Sequence, residues 1–112
     1  MLRDLKLYLD DILISIERIE EYAGVLSFEE FSDDRKTIDA VVRNFEIIGE
    51  AVKNIPYDIR DCYDYEWRSI AGLRDILIHG YFGVSVSIVW DIIQNELPEL
   101  KAQIRSILDN MP

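Results

Sequence analysis

The segment LRDILIHGYFG, residues 73–83, gathers side chains that could act on a phosphate group. Arg74, His79 and Tyr81 lie within eight positions, and His79 is the only histidine of the chain. A histidine can exchange protons near neutral pH, and an arginine offers a planar set of donors that suits a phosphate and the extra charge of its transition state. This pair meets the needs of RNA cleavage, in which a ribose hydroxyl attacks its own phosphate and no metal is required.

The spacing alone leaves simpler roles open. Five positions turn an ideal helix by about 140°, so Arg74 and His79 do not share one helix face. They could converge if the helix unwinds at Gly80, because an arginine side chain is long enough to reach around its own helix. Without further information, a histidine at a helix end is more often a cap, and an isolated arginine more often a surface ion-pair partner. Tyr81 would ordinarily pack beneath a turn.

Length and charge set the protein class. With 112 residues, 49% of them hydrophobic, the chain fits one folded domain, residues 1–112. Its net charge of −10 weighs against non-specific binding to nucleic acid and suits a basic protein partner. The acidity is concentrated in residues 1–34, which hold ten Asp/Glu against three Lys/Arg. A local basic cleft remains open, built from Arg43, Lys53, Arg60, Arg68 or Arg74.

The sequence indicates neither a metal site nor a membrane segment. Cys62 and His79 alone cannot supply the three or four ligands of a zinc site, and no cofactor is implied. Three aspartates spaced every three residues could hold a cation, but a solvated acidic face is the simpler interpretation: Asp58, Asp61 and Asp64. Acidic residues among the N-terminal leucines are atypical of a signal peptide, so we expect a cytoplasmic protein.

Hydrophobic periodicity predicts helices throughout. Apolar residues with helical spacing predict a first helix over residues 2–22, ending near Gly24, and a second over residues 33–54, stopped by Pro56. Ser27 and Glu30 have the spacing of a capping box. A third helix is predicted over residues 67–79, and a fourth helical region over residues 86–96 and 99–108, with Pro98 in a first turn or at a kink.

These elements predict an all-α fold. The β-branched run GVSVSIVW, residues 83–90, has no second strand to pair with, so we assign it to a loop and a helix start. Short connections then favour an antiparallel bundle of four to five helices. Trp67 and Trp90 fall at core spacing and are interpreted as packing or dimer residues, not as platforms for stacking bases.

Arg74, His79 and Tyr81 together resemble the R-x4-H-x-Y motif of the HEPN superfamily, in particular of its HepT-like toxins. Three longer segments resemble the same family: RNFEIIGEAVKNIP at 43–56, WRSIAGLRDILIHGYFGV at 67–84 and VWDIIQNELPEL at 89–100. The resemblance covers most of the chain in register.

The resemblance implies a helical domain that forms a homodimer or a higher oligomer, with Arg74 and His79 of each protomer in one interfacial cleft. It implies a metal-independent endoribonuclease acting on RNA, in which the histidine transfers protons and the arginine holds the scissile phosphate. It also implies a toxin restrained by a cognate minimal nucleotidyltransferase antitoxin that adenylylates Tyr81. Asp75 occupies a supporting polar position where the family often has Asn, and its carboxylate is less favourable to RNA.

Two other hypotheses stay open at this stage. The acidic charge and Asp75 also fit a non-catalytic subunit that binds a nucleotide or presents Tyr81 to a nucleotidyltransferase. The chain could also be a purely structural helical dimer, in which substitution of Arg74 and His79 would have no effect on function.

Overall fold

The structure, a computed structural model, describes residues 2–61, 73 and 85–111. The helices are α1 (Leu2–Ala23), α2 (Phe28–Ser32), α3 (Arg35–Lys53), α4 (Tyr57–Asp61), α5 (Val86–Asp91) and α6 (Leu97–Asp109), with a π-helical turn at Ile92–Glu96 between α5 and α6. No strand occurs in these three stretches. The predicted all-α fold is confirmed.

The core lies mainly between α1, α3 and α6. Each apolar residue that the helical spacing assigned to the first two helices is buried: Leu5, Leu9, Ile12, Ile16 and Ile19 on α1, and Ile38, Val41, Val42, Phe45, Ile48 and Val52 on α3, followed by Ile55. Leu100, Ile104 and Ile107 of α6 complete this core. The two helical stripes therefore face each other, as their periodicity predicted.

Neighbouring long helices run antiparallel. Tyr8 and Asp11, in the first half of α1, line the same cleft as Glu50 and Asn54 at the end of α3. Lys101, near the start of α6, donates a 2.7 Å hydrogen bond to a carboxylate oxygen of Glu20, near the end of α1. The predicted antiparallel order therefore holds for both pairs.

The end of α1 depends on Gly24. Its amide donates to the carbonyl oxygen of Glu20 at 2.8 Å. A Cβ atom at Gly24 would lie 2.3 Å from that same oxygen, which is too close for any side chain. Glycine is required here by the close approach of the backbone.

The connection between α1 and α3 contains a short helix that the sequence pattern did not predict. The capping box of Ser27 and Glu30 forms, but it opens α2 and not the long helix. Asp34 then caps α3 separately by accepting from the Thr37 amide at 3.0 Å and the Thr37 hydroxyl at 2.6 Å. These hydrogen bonds from Thr37 lower the pKa of Asp34. Ser27 therefore starts α2 and Asp34 starts α3, so that residues 28–53 form two helices instead of one.

Aromatic packing holds α2 against the C-terminal helices. Phe31 is fully buried, and its ring centroid lies 5.2 Å from that of Trp90 on α5. Phe28 meets Trp90 edge-on at 5.9 Å. Trp90 is therefore a packing residue, as its core spacing predicted.

Pro98 follows the π-helical turn Ile92–Glu96, in which the helix is wider than a regular α-helix. It lies in the first turn of α6, and the preceding Leu97 amide donates to the carbonyl of Ile92, five residues earlier. Proline has no amide hydrogen, and its ring collides with the carbonyl four residues before it in a regular helix. A π-helical turn relieves that collision, so α5 continues into α6.

Candidate functional site

The residues that the sequence nominated for catalysis lie outside the described residues. This holds for Arg74, Asp75, His79 and Tyr81, and also for Cys62, Asp64, Trp67, Arg68 and Phe82. The nomination of these residues therefore stays a prediction. The residues described on either side show which parts of the fold bracket the motif.

Leu73, immediately before Arg74 in sequence, is helical and belongs to the hydrophobic core with 8% of its surface exposed. On the C-terminal side, Ser85 caps α5 by accepting a 3.2 Å hydrogen bond from the Ile88 amide. The interpretation of residues 83–90 as a loop and a helix start agrees with this cap where the structure describes them. One buried anchor and one capped helix start thus bracket the motif positions in sequence.

On the N-terminal side, Arg60 ties α4 to the end of α3. Its Nε donates to the carbonyl of Ile55 at 3.0 Å, and a terminal guanidinium nitrogen donates to the carbonyl of Val52. The guanidinium also lies over the ring of Tyr57, 5.1 Å from its centroid. The carbonyl of Val52 also accepts the Ile55 amide at 3.1 Å, and residue 56 cannot donate to it because proline has no amide hydrogen. Arg60 therefore adds charged donors to two carbonyls at and just after the last turn of α3.

A basic cleft does not form from the described arginines. Arg60 serves as the cap of α3, and Arg43 forms a 3.3 Å ion pair with Glu46. Lys53 lies in the last turn of α3. Of the five basic residues considered for phosphate binding, Arg68 and Arg74 lie outside the described residues. Sequence reasoning missed the cap because one partner lies eight residues before Arg60, in α3, and the other five residues before it, in the turn after α3.

The described part of the chain contains a cleft of about 320 Å³ between α1 and α3. Its lining combines three carboxylates with one guanidinium, two neutral polar side chains and two aliphatic ones: Asp11, Glu46, Glu50, Arg43, Tyr8, Asn54, Ile47 and Ala51. This excess of negative charge disfavours a phosphate ligand. Within the described ranges, no three His, Cys, Asp or Glu side chains are placed to hold a metal ion.

A buried amide on α3 was not identified from the sequence. Asn44 has only 6% of its surface exposed, and its Nδ2 donates to the carbonyl of Ala40 at 2.9 Å. Among the residues that the structure describes, no donor reaches its Oδ1. A buried acceptor without a partner is costly, so Asn44 is a polar exception in an otherwise apolar helix face. Its spacing of three residues from Val41 and four from Ile48 places it on the buried face of α3, but the apolar pattern was read from hydrophobic residues alone.

In the ranges 2–61 and 85–111, no helix combines the length and the apolar character needed to cross a bilayer.

Comparison with known proteins identifies relatives along the whole chain. The family model described as "Ribonuclease HepT-like" matches residues 12–107. The "Probable ribonuclease HepT" of Thermococcus cleftensis is 45% identical over 108 residues, covering 96% of this chain and 98% of that protein. The "Putative RNase TTE0752" of Caldanaerobacter subterraneus subsp. tengcongensis is 47% identical over 102 residues, covering 90% and 91% of the two chains.

A longer relative also matches. The "Gamma-glutamylcyclotransferase and putative RNase MJ0434" of Methanocaldococcus jannaschii is 42% identical over 112 residues, and the match covers 99% of this chain. The chain spans about half the length of that relative, 50%. No solved structure matches the chain significantly.

Proposed function

The chain belongs to the HepT-like ribonuclease family, and on that basis we propose that it is an endoribonuclease that cleaves RNA without a metal ion. The family match over residues 12–107 carries this proposal, because it includes the positions of Arg74 and His79. Leu73, which precedes Arg74 in sequence, is buried in the core, and a rigid scaffold next to a site favours catalysis.

Arg74 and His79 divide the chemistry in this proposal. The 2′ hydroxyl of the ribose loses its proton to a His79 imidazole, its oxygen attacks the phosphorus, and the bond from phosphorus to the 5′ oxygen breaks. The leaving 5′ oxygen gains a proton, and the guanidinium of Arg74 offsets the charge that develops on the phosphate. The products are a 2′,3′-cyclic phosphate and a free 5′ hydroxyl.

We further propose that the site is shared by two protomers. Five positions of regular helix separate Arg74 from His79 by about 140°, so one helix face does not present both. A homodimer supplies two copies of each residue to one cleft, including two imidazoles for the two proton transfers. Asp75 lies next to the phosphate-binding arginine in sequence, and its negative charge is expected to slow RNA cleavage without preventing it.

Tyr81 is the proposed point of control. In this proposal a cognate nucleotidyltransferase antitoxin transfers AMP from ATP to the Tyr81 hydroxyl and releases pyrophosphate. The added phosphate brings charge and bulk to the mouth of the cleft, where an RNA phosphate would otherwise enter. Incubation with that enzyme and ATP should add the mass of AMP to the chain and stop RNA cleavage, whereas Tyr81→Phe should gain no mass.

Cleavage of labelled RNA in excess chelator tests the proposal. The unmodified protein should cut and leave cyclic phosphate ends, whereas Arg74→Ala and His79→Ala should each reduce the rate by about a hundredfold or more. Arg43→Ala is the matched control, because its side chain is 70% exposed and pairs only with Glu46 among the described residues. Circular dichroism checks that each variant keeps its helices.

Undiminished cutting by both site variants would refute the proposed chemistry. If the unmodified protein forms a stable complex with a nucleotidyltransferase but cuts no RNA, the alternative function as a non-catalytic partner-binding subunit replaces it.

A further inference from the structure

Helix α1 carries a second apolar strip on the side opposite its core stripe. Leu7 and Ile14 are 53% and 47% exposed, whereas Leu5, Leu9 and Ile12 between and beside them are buried. Residues seven apart lie on the same helix face, about 10.5 Å from each other along the axis. Two large aliphatic side chains one above the other in solvent form a surface that a protein partner could cover.

Asp11 connects this strip to the outer edge of the cleft between α1 and α3. Asp11 lies four residues after Leu7 and three before Ile14, and it lines the cleft together with Tyr8. On the α3 side the cleft wall contains half-buried Ile47. We name the combined area the α1–α3 surface, defined by Leu7, Tyr8, Asp11, Ile14, Glu46, Ile47 and Glu50.

The charge of the α1–α3 surface indicates which kind of binding partner it favours. Its defining residues include three carboxylates and no basic side chain, and the cleft lining adds one guanidinium, that of Arg43, 3.3 Å from Glu46. Helix α1 as a whole holds six acidic and three basic residues. The same surface of a second copy would bring the same excess of negative charge, and a nucleic acid would bring more. A basic polypeptide is complementary.

We propose that the α1–α3 surface binds a basic amphipathic helix of another protein. Aliphatic side chains of that helix pack on Leu7, Ile14 and Ile47, which matches the two-turn spacing of an apolar helix face. Lysine and arginine side chains flanking its apolar face meet the acidic side of the surface at Asp11, which lies between Leu7 and Ile14 in sequence. The proposal does not depend on the proposed nuclease activity, because it uses none of the residues assigned to catalysis.

A labelled synthetic peptide tests the proposal. The probe is an amphipathic helical peptide in which leucines repeat every three to four and every seven residues, with lysines on both sides of the leucine face. The control peptide has glutamate in place of each lysine. Fluorescence anisotropy measures the binding of both to the full chain at physiological salt. The lysine peptide should bind and the glutamate peptide should not, and added salt should weaken the binding.

Matched variants locate the binding site. The double substitution Leu7→Ser with Ile14→Ser, and separately Asp11→Lys, should each weaken binding about tenfold, as expected for substitutions at the centre of an interface. Ile88→Ser on α5, at 54% exposure, is the apolar control, and Glu29→Lys on α2 is the charge control. Neither control should change the affinity by more than about twofold.

Three results would overturn the proposal. The peptide does not bind, or the control variants weaken it as much as the surface variants, or sedimentation shows that the double variant turns a dimer into a monomer. The last result would make a second copy of the chain the occupant. RNA cleavage, measured in parallel, should be the same for the double variant and the unmodified protein, so failure here is distinct from failure of the proposed function.

Discussion

Replacing Arg60 separates a structural role from a role in phosphate binding. The side chain donates one hydrogen bond to the carbonyl of Val52, in the last turn of α3, and one to the carbonyl of Ile55, in the turn that follows. A hydrogen bond from a charged donor contributes roughly 1.5–3 kcal/mol. Arg60 is only half-buried, so water can replace part of each bond, and we take the lower end of that range. Arg60→Ala should therefore lower the free energy of unfolding by about 2–3 kcal/mol.

Two further variants divide that loss. Arg60→Lys keeps the charge, but a compact ammonium lacks the planar fork, so about half of the stability should return. Tyr57→Ala removes only the ring beneath the guanidinium, at 78% exposure of Tyr57, and should cost less than about 1 kcal/mol. Urea unfolding followed by circular dichroism measures all three, with Arg43→Ala as the exposed-arginine control that should stay within about 0.5 kcal/mol of the unmodified protein.

The outcome for RNA cleavage completes the test. If Arg60 is a cap, the folded fraction of Arg60→Ala cuts RNA at the rate of the unmodified protein. The reasoning fails if the free energy of unfolding of Arg60→Ala is within about 0.5 kcal/mol of that of the unmodified protein, because the loss of two hydrogen bonds from a charged donor should exceed that value. It also fails if cutting is lost while stability is retained, since Arg60 would then serve the substrate.

Three more predictions concern packing, backbone and pH. Phe31→Ala should lower the free energy of unfolding by about 3–5 kcal/mol, because it empties a buried site against Trp90; a loss below 1 kcal/mol in urea unfolding would contradict this packing. Gly24→Ala should cost more than about 1 kcal/mol in the same assay, because its Cβ would strike the Glu20 carbonyl, and an unchanged midpoint would exclude that clash. Burial, followed by the charges of Asp91 and Glu99, raises the pKa of Glu96 above its ordinary 4.5. The folded state thus holds this proton more tightly, and stability declines as pH rises through the raised pKa. Glu96→Gln should consequently be more stable by about a few tenths of a kcal/mol at neutral pH, since the partly solvated charge is screened. Thermal unfolding across pH should show that the extra stability of Glu96→Gln vanishes below the ordinary pKa of glutamate. Extra stability that increases as the pH falls would contradict a raised pKa of Glu96.

Helical periodicity was sufficient to predict the long helices and the core. The apolar stripes of α1 and α3 depend on neighbours three and four positions apart, and such neighbours share a face in any helix. The assignment of residues 83–90 to a helix start depended on the lack of a second strand, and Ser85 caps α5 as a helix start requires. The family was also recognisable from the motif around Arg74 and His79.

Only the tertiary structure determined the features that depend on residues far apart in the sequence, or on two helix-capping residues that compete to start one helix. Ser27 caps a short helix of its own because Asp34 offers a second cap, and only the folded chain shows which cap starts which helix. Arg60 was a candidate for binding phosphate until α4 placed it against the end of α3. Only the folded chain shows the hydrogen-bond partners of buried Asn44 and the shape of the cleft beside α1, because both depend on how one helix packs on another. Neighbouring residues in the sequence determine where helices form, whereas the hydrogen-bond partners of a polar side chain are determined only when the helices pack together.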